Sequence, residues 1–339
     1  LLRLGFMEHI DFFFSNQDVK TPKPSPEMYL SCMIKAGVSP KETLIIEDSN
    51  IGRKAANDSG AHVMPVRNSN DVTYEQINYM LGLLKDKPII QKWQGGKMKI
   101  LIPMAGAGSR FEKAGFSFPK PLIPIKNMND KPMIQVIVEN LNIDAEYIFI
   151  IRKEQSEKYN LKQLLNVISP NCKIVEVNHL TDGAACTTLL AKEFINDNEP
   201  LLIANSDQFI EWDSNEFMYS MMGNHIDGGI LTFENSHPKW SYVKTNSLGN
   251  VTMLREKEVI SNIATVGIYY WKCGKEYVKY AEQMISKNIK SNGEFYVAPV
   301  YSEALLDNKT IKTFNIDKMW GLGTPEDLEY FTEKYDKQN

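Results

Sequence analysis

The segment Lys99–Leu122 constrains this chain most, because it couples an apolar run to a glycine-rich loop. Lys99–Pro103 reads as a short buried strand. It opens into Met104-Ala105-Gly106-Ala107-Gly108-Ser109-Arg110. Glycines here let the backbone approach an anionic group closely, and consecutive N–H groups can cradle phosphate oxygens. Arg110, and Lys120 between two prolines, can then neutralise the charge on a triphosphate. Taken alone, the same loop also fits a tight turn after a strand. Two phosphate-binding patterns are excluded. A dinucleotide fingerprint needs a third glycine and an acidic residue about 20 residues on, and a P-loop needs Gly-Lys-Ser/Thr.

The surrounding chain alternates strand and helix signals, which implies parallel sheet. Further strands are expected at 147–151, 173–177, 200–204 and 228–233. A helix with Pro132 near its start carries Met133, Val136, Ile137 and Leu141 on one face. Runs at 242–244, 251–255 and 264–271 read as a mixed-sheet insertion. A last helix begins at Thr324-Pro325-Glu326-Asp327, with Leu328, Phe331 and Tyr335 facing inward.

Ahead of residue 98, 12–14 reads as a strand. A helix starts at Ser25-Pro26, with Pro26 in its first position and Gly37 just past its end. Tyr29, Cys32, Met33 and Ala36 make its apolar face. Ser39 with Glu42 predicts a short capped helix. Residues 43–47 read as a strand ending at Asp48, 51–59 as a helix and 62–66 as another strand. The expected division is 1–92 and 98–339, with a linker at 93–97 that contains Gly95-Gly96.

A chain of 339 residues exceeds one typical domain. An apolar fraction of 43% is enough for a buried core. A net charge of −4 without a long basic run gives no reason to expect nucleic-acid binding. The four cysteines are widely spaced, fit neither a disulfide framework nor a zinc site, and point to a reducing cytoplasm. No apolar run has transmembrane length and no signal peptide is present, so no membrane partner is expected. The chain begins at Leu1 within a helix-like stretch and is expected to be a piece of a longer protein.

The run 200–204 ends in Asn205-Ser206-Asp207. Ligands of open α/β sheets gather at the carboxyl ends of strands. An aspartate there can hold Mg²⁺, or can simply close an Asx-turn. Thr181-Asp182-Gly183-Ala184-Ala185 precedes a helix, and its small residues by themselves fit the packing of a helix N-terminus.

The strand, the G-x-G-S-R loop and the downstream Phe118-Pro119-Lys120-Pro121-Leu122 resemble the signature of sugar-phosphate nucleotidyltransferases. The resemblance runs from about Met98 to Phe331 and implies a Rossmann-like mixed-sheet α/β fold. It implies transfer of a nucleoside monophosphate from an NTP to a sugar or polyol phosphate, with Mg²⁺ as cofactor and pyrophosphate released. By that resemblance, Ala105, Gly106, Gly108, Ser109 and Gly183 bind the nucleotide. Arg110 and Lys120 act on its phosphates, and Asp207 holds the metal. Trp240-Ser241-Tyr242-Val243 and Arg255-Glu256-Lys257 stand where the family contacts its acceptor, which assigns Tyr242, Glu256 and Lys257 to that side. Ser241 replaces a glycine of the family pattern.

A second metal aspartate is usual in a W-x-D-x-G-T pattern, and Gly321 stands in its place. Asp207 then acts with phosphates and water alone, or another carboxylate replaces the missing one. Glu294 and Asp327 qualify by chemistry, and Asp327 is expected to serve as the helix cap instead. CTP is favoured over dTTP and UTP by analogy, and surface polysaccharide synthesis is the expected setting. A homo-oligomer is compatible with all of this. The alternative is a nucleotide- or sugar-binding regulatory module without turnover.

Lys20-Thr21-Pro22-Lys23-Pro24 and Ile45-Ile46-Glu47-Asp48-Ser49-Asn50 resemble two motifs of haloacid dehalogenase (HAD)-type phosphatases. The resemblance implies a partial HAD-like α/β block in which Lys23 steadies a phosphoryl group and Glu47 and Asp48 help to hold Mg²⁺. The family's nucleophile lies in a D-x-D motif, and none occurs upstream of Lys23. No phosphatase activity is expected from this block, although a longer protein that joins a phosphatase to the transferase would be coherent.

Overall fold

The computed structural model describes residues 9–86, 98–106, 108–221 and 225–335. The expected linker at 93–97 lies outside them. Two compact units form from the described parts of Leu1–Gly95 with Asn215–His225, and of Gly96–Ser214 with Ile226–Asn339. The division is thus not continuous in sequence. Among the described residues, no helix is long and apolar enough to cross a membrane.

In the first unit, β1 (Leu44–Glu47) and β2 (His62–Pro65) pair in parallel around the helix Asn50–Asp58. Alternation sends their side chains to two faces. Ile45 and Val63 pack with Met33, Ala56 and Ala61, while Leu44, Ile46 and Met64 pack with Met80. The helix Glu27–Ala36 has Pro26 at its N-cap, one place earlier than expected, and ends on Gly37 in the left-handed region. Of its expected apolar face Met33 is buried and Ala36 is exposed. Ser39 and Glu42 form a reciprocal capping box on a single 3₁₀ turn. Residues 12–14 are not a strand. Phe12 and Phe14 instead meet edge to face and hold the Lys35 ammonium over their rings, at 4.9 and 5.3 Å. The helix Tyr74–Asp86 has no counterpart in the sequence reading.

The second unit is built on one nine-stranded sheet. Its strands begin with β3 (Lys99–Pro103). A small hairpin, β4 (Pro124–Ile125) with β5 (Lys131–Pro132), precedes the helix Met133–Leu141. There follow β6 (Glu146–Arg152), β7 (Lys173–Val177), β8 (Leu201–Ala204), β9 (Gln208–Glu211), β10 (Gly228–Glu234), β11 (Tyr242–Thr245), β12 (Val251–Arg255), β13 (Ile263–Trp271), β14 (Ile311–Asn315) and β15 (Lys318–Gly321). The main sheet runs β12-β11-β13-β8-β3-β6-β7, with β10 beside β13 and β14 beside β10. Strands β8, β3, β6 and β7 run parallel to one another, and β13 joins β8 antiparallel.

The expected insertion is therefore part of the main sheet. Every residue of β13 after Ile263 is buried, as a central strand covered on both faces requires. Trp271 at its end stacks on Tyr301 at 4.3 Å and 8°, and Tyr301 donates to the carbonyl of Tyr270. A separate ribbon pairs β9 with β15, placing Gln208 opposite Gly321. The last helix, Pro325–Lys334, buries Leu328 and Phe331 and stacks Tyr335 on Phe331.

One carboxylate organises the first unit. Glu47, buried at the end of β1, accepts from Lys23 Nζ at 2.6 Å, from the Tyr29 hydroxyl, and from Ser49 Oγ and N at 2.7 and 3.0 Å. Burial alone would raise its pKa. The bonds from Lys23, Tyr29 and Ser49 outweigh that and hold it at about 2. A folded pKa below the ordinary 4.5 gives stability that is complete above that value and lost as pH falls from about 4.5 toward about 2. Hydrogen-exchange protection of the β1 and β2 amides should hold from pH 7 to about 5 and fall below about 4.5. Glu47→Gln should lower protection at pH 7 and flatten its pH dependence. Unchanged protection at pH 3 in the wild type would contradict this account.

Candidate active site

The parallel core grows from β3 to β6 and β7 on one side, then returns to add β8 on the other. The strand order thus reverses between β3 and β8. In open α/β sheets the crevice at the carboxyl ends of such a pair is where ligands bind. A cleft of about 810 Å³ opens there.

Gly106, Gly108, Arg110 and Lys120 line it from the loop after β3, and Asp207 from the turn after β8. Lys120 Nζ lies 2.8 Å from Asp207 Oδ2. Gly108 is left-handed, with φ +64°, and caps the short helix Ser109–Lys113 that presents Arg110. The opposite wall comes from β11, β12 and β13 and includes Ser241, Glu256 and Lys257. The Ser241 hydroxyl donates to Glu256 Oε2. Burial raises the Glu256 pKa, against the opposing effects of Ser241 and the Lys257 charge. Lys257 is a non-glycine residue at φ +55°, a conformation that costs an L-residue about 1–2 kcal/mol. Its Nζ sits 2.5 Å from the Tyr296 hydroxyl and 4.4 Å from the ring centroid.

Several residues named from sequence are placed elsewhere. Ala105 is buried in the sheet core, where strand packing claims it, and Ser109 is exposed outside the cleft lining. Tyr242 is fully buried and its hydroxyl donates to the His237 carbonyl at 2.7 Å, so it cannot face an acceptor. Its neighbours Trp240 and Ser241 line the cleft. Gly183, at φ +124°, has the Phe295 backbone 2.5 Å from where a Cβ would stand, which explains the glycine by close packing. Ala184, not Gly183, lines the cleft. Lys23 and Glu47 meet in the first unit as a salt bridge, while Asp48 is exposed.

The segment around Gly321 differs most from expectation. Thr324 Oγ1 makes the cap, accepting from Asp327 N at 3.1 Å. Asp327 is therefore not the cap acceptor, and its carboxylate lines the cleft. A Cβ on Gly321 would stand 3.2 Å from Asp327 Cγ, and one on Gly323 would stand 2.9 Å from Asp207 Oδ2. Asp327 Oδ1 has Lys239 Nζ at 3.6 Å. Gln155, Asn205, Gln208, Trp240 and Tyr296 also line the cleft and were not singled out as site residues by any motif. The place of Asn205 and Gln208 beside Asp207, and of Trp240 at the head of the Trp240-Ser241-Tyr242-Val243 run, could have marked those three.

A family model described as nucleotidyl transferase matches residues 99–338, and one described as haloacid dehalogenase-like hydrolase matches residues 1–66. A relative, the bifunctional protein GlmU of Methanocaldococcus jannaschii, is 27% identical over 236 residues, 68% of this chain and 52% of its own length. The low-salt glycan biosynthesis nucleotidyltransferase Agl11 of Haloferax volcanii is 24% identical over 242 residues, 68% of this chain and 64% of its own. The chain thus spans about half to two thirds of the length of these relatives. The fold is shared with a nucleoside-diphosphate-sugar pyrophosphorylase of Vibrio cholerae, with TM-score 0.59, 22% identity, and coverage of 69% of this chain and 100% of that one. A glycine loop after β3, an aspartate after β8 and a family match over most of the length agree, and the chain belongs to the nucleotidyl transferase family.

Proposed function

We propose that the cleft transfers a nucleoside monophosphate from an NTP to a sugar or polyol phosphate, as in the making of NDP-sugars. CTP is the favoured donor, and a surface glycan the favoured destination. The observation that carries this reading is the Lys120–Asp207 contact between the carboxyl ends of β3 and β8, with Arg110 and Lys257 on the same cleft. An acceptor phosphate oxygen attacks the α-phosphorus, the P–O bond to the β-phosphate breaks, and pyrophosphate leaves. No covalent enzyme intermediate is needed, because positioning and charge neutralisation suffice. In this scheme Gly106, Gly108 and Arg110 hold the β- and γ-phosphates, and Lys120 neutralises charge at the α-phosphate. Lys257, held by its backbone and by Tyr296, takes the acceptor phosphate.

The residues present fit Mg²⁺, a hard cation that takes one or two carboxylates with phosphate oxygens and water. Asp207 supplies one carboxylate. Asp327, packed against Gly321 and lining the same cleft, would supply a second. When bound, the ion would neutralise triphosphate charge. No group of three or more potential metal-ligating His, Cys, Asp or Glu stands together among the described residues. The regulatory alternative rests on Gly321, and the Asp327 carboxylate beside it weakens that ground.

Asp207→Ala should lower Mg²⁺-dependent pyrophosphate release by about 100-fold or more with little change in melting temperature. Asp327→Asn should raise the Mg²⁺ concentration for half-maximal rate. Gly321→Asp with Asp327→Ala should bring it back. Full activity in Asp207→Ala would place the metal elsewhere.

Arg110→Ala should raise the KM for NTP about tenfold, and Lys257→Ala the KM for acceptor by a similar factor, the scale of one lost charge-assisted hydrogen bond. Exchanged effects would invert the two walls of the cleft.

The first unit has Lys23, Glu47 and Asp48 without a D-x-D nucleophile upstream of Lys23. Formation of an aspartyl-phosphate needs that nucleophile. Orthophosphate release from sugar phosphates should stay at background in a malachite-green assay. Release that disappears in Asp48→Asn would overturn this.

A further inference from the structure

Gln208 is the residue immediately after Asp207 and the first of β9. It is only 9% exposed, and it lines the cleft. Its amide oxygen is buried with no hydrogen-bond partner among the described residues. A buried carbonyl oxygen left unpaired is costly and calls for a partner.

The sheet makes room for this amide. Gly267, in the middle of β13, has φ +93°. A Cβ there would stand 2.3 Å from Asn205 Nδ2 and 2.7 Å from both Gln208 amide atoms. Any larger residue would evict the two amides. Asn205 is tied to the same point, since its N–H donates to the Gly267 carbonyl at 3.0 Å.

The direction of the amide separates it from the phosphate groups. Asp207 meets Lys120, which belongs to the loop after β3. Gln208 lies instead against β13, on the wall that carries Ser241, Glu256 and Thr265. On that wall Trp240 Nε1 is a second buried polar atom without a partner among the described residues, a donor where Gln208 offers an acceptor.

We propose that Gln208 reads the acceptor: its amide oxygen, held over Gly267, accepts a hydrogen bond from a hydroxyl or N–H group on the non-phosphate part of the molecule. This rests on the nucleotidyl-transfer reading and adds to it a specificity-determining residue. Acceptors that lack a donor at that point are selected against, because the oxygen then stays buried and unpaired.

The test is steady-state pyrophosphate release by the whole chain. CTP, dTTP and UTP are each paired with glucose 1-phosphate, N-acetylglucosamine 1-phosphate and ribitol 5-phosphate. With the best pair, Gln208→Met should raise the acceptor KM about 10- to 100-fold and leave the NTP KM within about twofold. Gln208→Glu, which keeps an accepting oxygen, should recover most of the loss. The melting temperature of Gln208→Met should not fall, since the variant removes an unpaired polar atom. A merely structural role would lower melting temperature and disturb both KM values together. An unchanged acceptor KM, or a rise confined to the NTP, overturns the assignment while wild-type turnover leaves the transfer reading standing. Wild-type protein that releases no pyrophosphate with any pair overturns both.

Discussion

The parallel pairing of β3 with β8 is the contact on which the cleft depends. Lys99 lies beside Leu201 and Leu101 beside Ile203, so Pro103 and Asn205 leave the sheet at the same level. The glycine loop and the Asp207 turn therefore start side by side. All four residues of β8 are buried, as a strand covered on both faces requires. The ribbon of β9 and β15 then anchors the far side of the Asp207 turn. Leu322 N donates to the Asp207 carbonyl at 2.7 Å, which ties the turn to the segment that carries Gly321 and Gly323. Two distant parts of the sequence are thus held on one edge of the cleft by backbone bonds.

How much of this is legible in the sequence depends on where the information sits. The parallel strands β3, β6 and β8 are buried on both faces along most of their length, so each is a continuous apolar run that needs no partner to be recognised, and each stands close to where the sequence places it. The β9–β15 ribbon joins residues more than a hundred positions apart, and β9 alone, Gln-Phe-Ile-Glu, is too short to declare itself. The same limit explains Tyr242. A motif locates Trp240-Ser241-Tyr242-Val243 but not which side each residue takes. Successive strand residues face opposite ways, so Ser241 faces the cleft and Tyr242 the core. Tyr296 carries no signal in the sequence and Gln208 only its place beside Asp207, since only the folded chain shows a buried unpaired amide or a ring beneath Lys257.

Gly321 shows how a position and a function can separate. A Cβ at 321 would stand 3.2 Å from Asp327 Cγ, so a side chain there would crowd the Asp327 carboxyl. In the sequence Asp327 looks like a helix cap, because it stands three residues after Thr324 and near a proline. The cap uses the Asp327 N–H and the Thr324 hydroxyl, which leaves the carboxylate able to turn into the cleft. The glycine at 321 is thus explained by its neighbour rather than as a simple loss.

The charges of the cleft are arranged as pairs with dissimilar attachments. Lys120 stands on a 3₁₀ turn beyond the glycine loop and its partner Asp207 on the turn after β8. Lys239 stands on the approach to β11 and its partner Asp327 on the last helix. Neither pair is deeply buried, and ion pairs of that kind contribute little to stability. Such pairs can therefore separate at small cost when a stronger partner arrives. Under the proposed reaction an NTP with Mg²⁺ would be that partner for both halves at once, since phosphate oxygens suit the lysines and the ion would suit the carboxylates. Under the proposed reaction the resting pairs keep each group aimed, and the substrate exchanges one set of partners for another. Lys257 differs: it is held by a ring, a hydroxyl and an unfavourable backbone conformation rather than by a carboxylate. Under the proposed reaction that arrangement suits a group that receives an acceptor phosphate.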